Sequence, residues 1–198
     1  MTDQWLGAPT LEYEDVRLRP LDVDDADSLG ELVGDPEAFR WSPGVPLDVE
    51  GAREFIDAAL TARETGIRTA FAVVDGETVV GSTSYYEIDP GSLSAAIGYT
   101  FYTESAQGTA INPTAKFLLL RHAFEECGAV RIVWHTHENN AQSRAAIAKL
   151  GAQFEGLLRK HRRFGDGWRT TAQYAMTDED WPAAKARLLA RLDQFRRL

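Results

Sequence analysis

"ESAQGTAINPTAKFLLLRHAFEEC", Glu104 to Cys127, is the stretch on which the fold turns. A run of small and polar residues passes abruptly into a long apolar segment. Asn112 is a good N-cap and Pro113 suits the first helical position, so the stretch predicts a helix that starts sharply after a loop. A helix start leaves several backbone N–H groups unpaired and carries partial positive charge. Phosphates bind there without a basic side chain. Gly108 allows close approach to the main chain, and Ala110 adds little bulk. The alternative is a plain connection, since any helix can start Asn-Pro. A Walker-type loop is a poor match, because the G-x-x-x-x-G-K-[ST] pattern is absent.

Upstream, "YEDVRLRPL" (13–21) alternates Val16 and Leu18 with Arg17 and Arg19, a strand pattern stopped by Pro20. "DVDDADSLGELVGD" (22–35) predicts a helix with acidic residues at its front end. Asp35-Pro36 and Ser42-Pro43-Gly44 punctuate the next stretch. In "LDVEGAREFIDAALTARETG" (47–66), Ala52, Phe55, Ile56, Ala59 and Leu60 share one helix face. "TAFAVVDGETVVGSTSYYEI" (69–88) contains Asp75-Gly76 between two apolar runs, a hairpin signal. "LSAAIGYTFYT" (93–103) is a further strand.

Downstream, "VRIVWHTH" (130–137) predicts a strand in which Ile132, Trp134 and Thr136 alternate with Val133, His135 and His137. The two histidines share a face, with solvent exposure as their default. "NAQSRAAIAKLG" (140–151) predicts a helix ended by Gly151. "QFEGLLRKHRRF" and "WRTTAQYAM" flank Gly165-Asp166-Gly167 as a hairpin. The tail, about 179–195, predicts an amphipathic helix packed back on the rest. The order is strand, two helices, three strands, helix, strand, helix, two strands, helix. It implies an α+β chain with a mixed, mostly antiparallel sheet flanked by helices. No repeat or linker divides residues 1–198, so one domain is expected, with a core at about 14–181.

Composition narrows the function. The chain has 198 residues, 44% hydrophobic and 26% charged, as in ordinary globular proteins. Acidic residues outnumber basic ones by 30 to 21, for a net charge of −9, which argues against a nucleic-acid surface. No run reaches the roughly 20 apolar residues of a membrane span, and the N-terminal residues lack signal-peptide character. A cytoplasmic location is the default expectation. The basic run Arg159-Lys160-His161-Arg162-Arg163 is a solvated strand, or a contact for an acidic partner or phosphate. Cys127 is the only cysteine, and Glu125 and Glu126 beside it have the wrong sign to activate a thiol.

Five segments taken in order carry a resemblance. "VRLRPL", "FRWSPGVPLDVEGAREFI", "AAIGYTFYT", "NAQSRAAIAKLG" and "LLRKHRRFGDGWRTTAQYAM" each resemble segments of the GNAT superfamily of acyl-CoA-dependent N-acetyltransferases. The branch they are most similar to is that of the ribosomal-protein N-terminal acetyltransferases. The resemblance implies that Gln107, Gly108, Thr109, Ala110, Ile111 and Asn112 hold the CoA diphosphate. It implies that Thr100, Phe101 and Tyr102 offer main-chain groups to the pantetheine arm. The family pattern at the loop is Q/R-x-x-G-x-G/A. Here Ala110 stands where glycine is usual, Asn112 replaces a small residue, and Pro113 lacks an N–H.

By the same resemblance Asn140 and Ser143 match an N-x-x-S at the last core helix. Asn140 would contact the pantetheine or order the loop, and Ser143 would serve the leaving sulfur. Both residue types also suit simple capping. A glutamate base common in the family is replaced by Ala96, and another by Arg163. Candidate bases are then Glu87, His137, Glu138 and His161, with His the better matched in pKa, or else water. Trp41 and Ser42 fall where the family builds its acceptor pocket, with Tyr85 and Tyr86 lining it from the strand side. The expected function is transfer of an acetyl or other acyl group from acyl-CoA to a primary amine, on a protein N-terminus or a small molecule. The expected assembly is a monomer or homodimer, with no metal. The rival is a non-catalytic acyl-CoA-binding or interaction domain.

Overall fold

In the computed structural model, residues 4–31, 39–42 and 44–197 are described. Strand β1 (Leu11–Tyr13) turns into β2 (Val16–Pro20), and α1 (Ala26–Gly30) and α2 (Val49–Glu64) come after it. Next are β3 (Arg68–Asp75), β4 (Thr78–Asp89), β5 (Ser94–Tyr102) and α3 (Ile111–Arg121). The chain finishes with β6 (Arg131–His137), α4 (Ala141–Leu150), β7 (Gln153–Phe164), β8 (Gly167–Thr177) and α5 (Trp181–Phe195). The eight strands form one sheet in the order β1-β2-β3-β4-β5-β6-β8-β7. Every pairing is antiparallel except β5 with β6.

Hairpin chemistry sets two of these connections. Asp75 pairs with Thr78, leaving Gly76 at φ 58° in a tight turn. Phe164 pairs with Gly167, so Gly167 opens β8 instead of lying in the turn. Sequence reading passed over β1, whose three residues are too few for a periodic signal. The helix expected over 22–35 is instead a 3₁₀ turn at Val23–Asp25 and then α1, ending at Gly30. Arg19 pulls Asp25 into a 2.5 Å ion pair there. Residues 32–35, like the punctuation at Pro36 and Pro43, lie outside the described residues.

Alternation along the strands divides the core between the two faces of the sheet. Phe71 and Val73 of β3 join α3, α4 and α5 in one apolar cluster. Ala70 and Ala72 join α1 and α2 in the other. α3 is the most deeply set helix, buried from Pro113 to Leu120. α5 covers it, with Trp181 stacked on Phe124 at 5.7 Å and its indole N–H donated to Glu125 at 2.7 Å. The π-helical turn His122–Glu126 ends α3, and Cys127 lies beside His122 with its thiol pKa pushed up by burial.

β5 departs from the simple pattern in a way that builds the site. Its register with β4 slips by one residue between the pairs Ser84–Gly98 and Ser82–Phe101. Tyr99 takes the extra place at φ 49°, a conformation costly for a non-glycine residue. The slip reverses the alternation, so Ile97 faces the α3 side and Phe101 the α2 side. β5 also pairs with β6 only over Ser94–Ala96 and Arg131–Val133. Beyond that the two strands part, and a wedge opens between Ile97–Tyr102 and the end of β6.

Candidate active site

A cavity of about 490 Å³ occupies the wedge. β5, the 107–112 loop, α3, β6, α4 and the β7–β8 hairpin all contribute to its wall. Gly108 sits at φ 77° with nothing within 4 Å of where a side chain would begin. The backbone there is bare and open to a ligand. α3 starts two residues earlier than expected, at Ile111 with Ala110 before it. Thr109 supplies the cap in place of Asn112: its hydroxyl accepts from the Ile111 N–H at 3.2 Å and donates to the Ala106 carbonyl at 2.7 Å. Asn112 and Pro113 therefore fall inside the first turn, where a missing N–H costs little. The amides of Gly108, Thr109, Ala110 and Asn112 have no acceptor among the described residues. Gln107 ties this loop to the end of β5, its Nε2 donating to the Tyr102 carbonyl at 3.3 Å.

Asn140 caps α4, its Oδ1 accepting from the Ser143 N–H at 3.0 Å. Both residues line the cavity, and the Ser143 hydroxyl has no partner among the described residues. Three other wall atoms are buried without a hydrogen bond: Asn112 Oδ1, Tyr102 Oη and Trp134 Nε1. Buried polar atoms without a protein partner are rare and mark a place where a ligand or water supplies it.

Lys116 lies at the back of the wedge. It is fully buried, and its Nζ donates to the hydroxyls of Thr83 and Thr100 at 2.7 and 2.6 Å. No carboxylate accompanies it among the described residues, and burial holds its pKa down at about 7. It joins α3 to β4 and to the bulged part of β5, where the Thr100 hydroxyl also reaches the Gly98 carbonyl at 3.3 Å.

The opposite wall is assembled from β4, β6 and the β7–β8 hairpin. Tyr86 Oη lies 3.1 Å from His135 Nδ1, and His135 Nε2 lies 3.1 Å from Gln173 Oε1. Tyr86 owes its place to Gly98, since a side chain there would meet its ring at 2.7 Å. Burial raises the Tyr86 pKa, keeping the hydroxyl protonated, and lowers that of His135, keeping the imidazole neutral. Glu87 pairs with Arg162 and approaches His135 Nδ1 to 3.7 Å. A neighbouring cavity of about 840 Å³ runs toward α2 and shares Tyr86, Tyr99 and Arg162 with the first. On its wall Arg68 is clamped between Phe55 and Tyr99, 4.6 and 3.9 Å from the two rings, and burial lowers its pKa to about 10.

Thr109, Ala110, Ile111, Glu138 and His161 line neither cavity, and three more candidates fall elsewhere than expected. Tyr85 lines neither cavity: it is fully buried and its hydroxyl donates to the Leu119 carbonyl at 2.5 Å. Adjacent strand residues face opposite sides, so Tyr85 and Tyr86 could not both reach one pocket. His137 is buried, not exposed, and lines neither cavity. Its ring lies 4.2 Å from Trp41 and 5.1 Å from Phe164, and its Nδ1 accepts from the Asn139 N–H. Glu87 lines only the α2-side cavity and is held by Arg162. Trp41, Ser42, Thr100, Phe101, Tyr102, Gln107, Gly108 and Asn112 do line the main cavity. Lys116, a lone cation in the apolar run "INPTAKFLLL", carried a signal that sequence reading did not use.

Residues 15–153 match the family described as Acetyltransferase (GNAT) domain. The chain belongs to the GNAT acetyltransferases. This acetyltransferase is 29% identical to the uncharacterized N-acetyltransferase p20 of Bacillus licheniformis, over 78% of its own length and 88% of the relative's. It is 25% identical to the ribosomal-protein-serine acetyltransferase of Escherichia coli K12, over 70% of its length and 76% of the relative's. The crystal structure of a GCN5-related N-acetyltransferase from Brucella melitensis superposes with a TM-score of 0.86 at 29% identity, covering 93% of this chain and 86% of that one. The protein is thus an acyl-CoA-dependent N-acyltransferase.

Proposed function

We propose that the loop from Gln107 to Asn112 holds the diphosphate of acyl-CoA and that the unpaired edge of β5 holds its pantetheine arm. One observation carries this: the wedge between β5 and β6 opens beside amides with no acceptor of their own. The unpartnered Asn112, Tyr102 and Trp134 atoms on its wall fit such a ligand. Acyl-CoA supplies a thioester that an amine attacks directly. Successive strand amides point to opposite edges, and Thr103 already donates to Val80 of β4, so it is those of Thr100 and Tyr102 that would donate where negative charge gathers on the carbonyl oxygen. Asn140 fixes the start of α4, and Ser143 serves the departing sulfur, directly or through water.

The acceptor is a primary amine, on a protein N-terminus or a small molecule, which enters past Trp41, Ser42 and Tyr86. Tyr86 takes a proton from the amine as it gives its own to the neutral Nδ1 of His135. Relays of this kind contribute roughly 10²–10⁴-fold. Transfer is direct, within a ternary complex, and Cys127 lines neither cavity. The test is thiol release from acetyl-CoA against a panel of amines and peptides, with a rate that rises with pH as the amine deprotonates. Binding of CoA with no product from any acceptor would instead favour a non-catalytic acyl-CoA-binding domain.

A further inference from the structure

The main cavity departs from the charge balance of the chain. The protein carries 30 acidic and 21 basic residues. Yet among the described residues no aspartate or glutamate lines this cavity, while Lys116, Arg162, Arg163 and Arg169 do. All three arginines come from the β7–β8 hairpin; Arg162 and Arg169, paired across it, share the side of Tyr86 and His135, whereas Arg163 pairs with Trp168 on the other face. Gly108 and Asn140 belong to the other end of the cavity, where α3 and α4 begin. The surplus positive charge is therefore separate from the proposed diphosphate cradle.

Only one of the three arginines has a carboxylate. Arg162 is paired with Glu87. Arg169 is half-buried and donates from Nε to the Thr171 hydroxyl at 2.9 Å, with no carboxylate partner among the described residues. Arg163 stacks on Trp168 at 4.6 Å and has none either. The carboxylates of the α2-side cavity are Asp48, Glu54 and Glu87. Asp48 caps α2, Glu87 holds Arg162, and among the described residues Glu54 makes no ion pair with Arg169, so none of the three is its partner. Desolvation and the nearby charge of Arg162 both weaken proton binding at Arg169, the mark of cations held close together.

We infer that the acceptor amine carries a carboxylate, received by the guanidinium of Arg169. A guanidinium offers a carboxylate two parallel hydrogen bonds, which orient the ligand as well as attract it. The same field lowers the pKa of a nearby ammonium and so favours the neutral amine that attacks. Trp41, Tyr86 and Tyr99 add aromatic surface for the rest of the acceptor. The carboxylate belongs either to a small amino acid or to an acidic residue close behind a peptide N-terminus.

This inference rests on the reading of the site as an acyl-CoA and amine cleft, and its test keeps the two apart. Calorimetry first measures CoA binding, then binding of matched amines to the CoA-loaded protein. The pairs are phenylalanine against phenylethylamine, and Ser-Asp-Phe-amide against Ser-Ala-Phe-amide. We expect the carboxylate member of at least one pair to bind about tenfold tighter or more at low ionic strength. The pair that shows it identifies the source of the carboxylate. The preference should shrink as salt is raised and vanish in Arg169→Gln, while CoA affinity holds. Equal affinity within both pairs, or binding of no member of either, overturns the inference. Failure of CoA itself to bind overturns the underlying site reading instead.

Discussion

The two ends of the cleft are made of different material. The loop and α3 present main chain: bare amides, a glycine at φ 77° and a helix start. The other end, the proposed acceptor side, presents side chains brought from β4, β6, β7 and β8, residues far apart in sequence. A main-chain site depends on backbone path and tolerates changes of side chain, which is how Ala110, Asn112 and Pro113 can stand in this loop. A side-chain site depends on each group and its partner. Lys116 lies between the two and ties them together through Thr83 and Thr100.

Substitutions sharpen this contrast or break it. The largest expected effect is on the acceptor side: His135→Gln should lower kcat by about 10²–10³-fold and leave the KM for acetyl-CoA unchanged. A KM effect alone would mean that His135 positions ligand and moves no proton. Lys116→Met comes next and is read in stability. The folded pKa of Lys116, about 7, lies below the ordinary 10.5 of the unfolded chain. Between these values the unfolded state binds more protons, so native stability rises with pH across that window, and below it the full cost of burying the charge remains. Methionine removes the cost and leaves the Thr83 and Thr100 hydroxyls, 2.9 Å apart, to pair. We expect a gain on the order of 2 kcal/mol at pH 6, several degrees in Tm, with the rise toward pH 9 flattened. An unchanged slope in thermal melts would show that another group sets it.

At the main-chain end, Gly108→Asp should weaken CoA binding by about tenfold or more, through charge and bulk beside the diphosphate. Unaltered affinity would remove the cradle. The smallest effect is expected from Pro113→Ala, under about threefold in CoA affinity, because that position lies in the first turn and needs no donor. A larger change by titration would mean that the loop depends on side-chain stiffness, and the contrast between the ends would fail.

The parts legible in the sequence divide in the same way. Period-2 patterns marked most strands, Asp75-Gly76 marked a hairpin, and the small residues before an apolar helix marked the loop, because each is a local property of consecutive residues. Short β1 and the broken helix after Pro20 escaped for lack of length. Tyr85 and Tyr86 could not be told apart, since periodicity says that neighbours face opposite ways but not which way the cavity lies. His135 and His137 looked exposed because nothing local announces that Tyr86, Gln173, Trp41 and Phe164 cover them.

Order of elements, hairpin turns and a helix start after a loop of small residues were determined by the sequence itself, because they arise from backbone preferences over a few residues. Tertiary structure alone decided the bulge at Tyr99, the parting of β5 from β6, the burial of Lys116 and the arginines lining the cavity. Those depend on which distant segments meet, and the free energy of burying or pairing a group exists only once they have met.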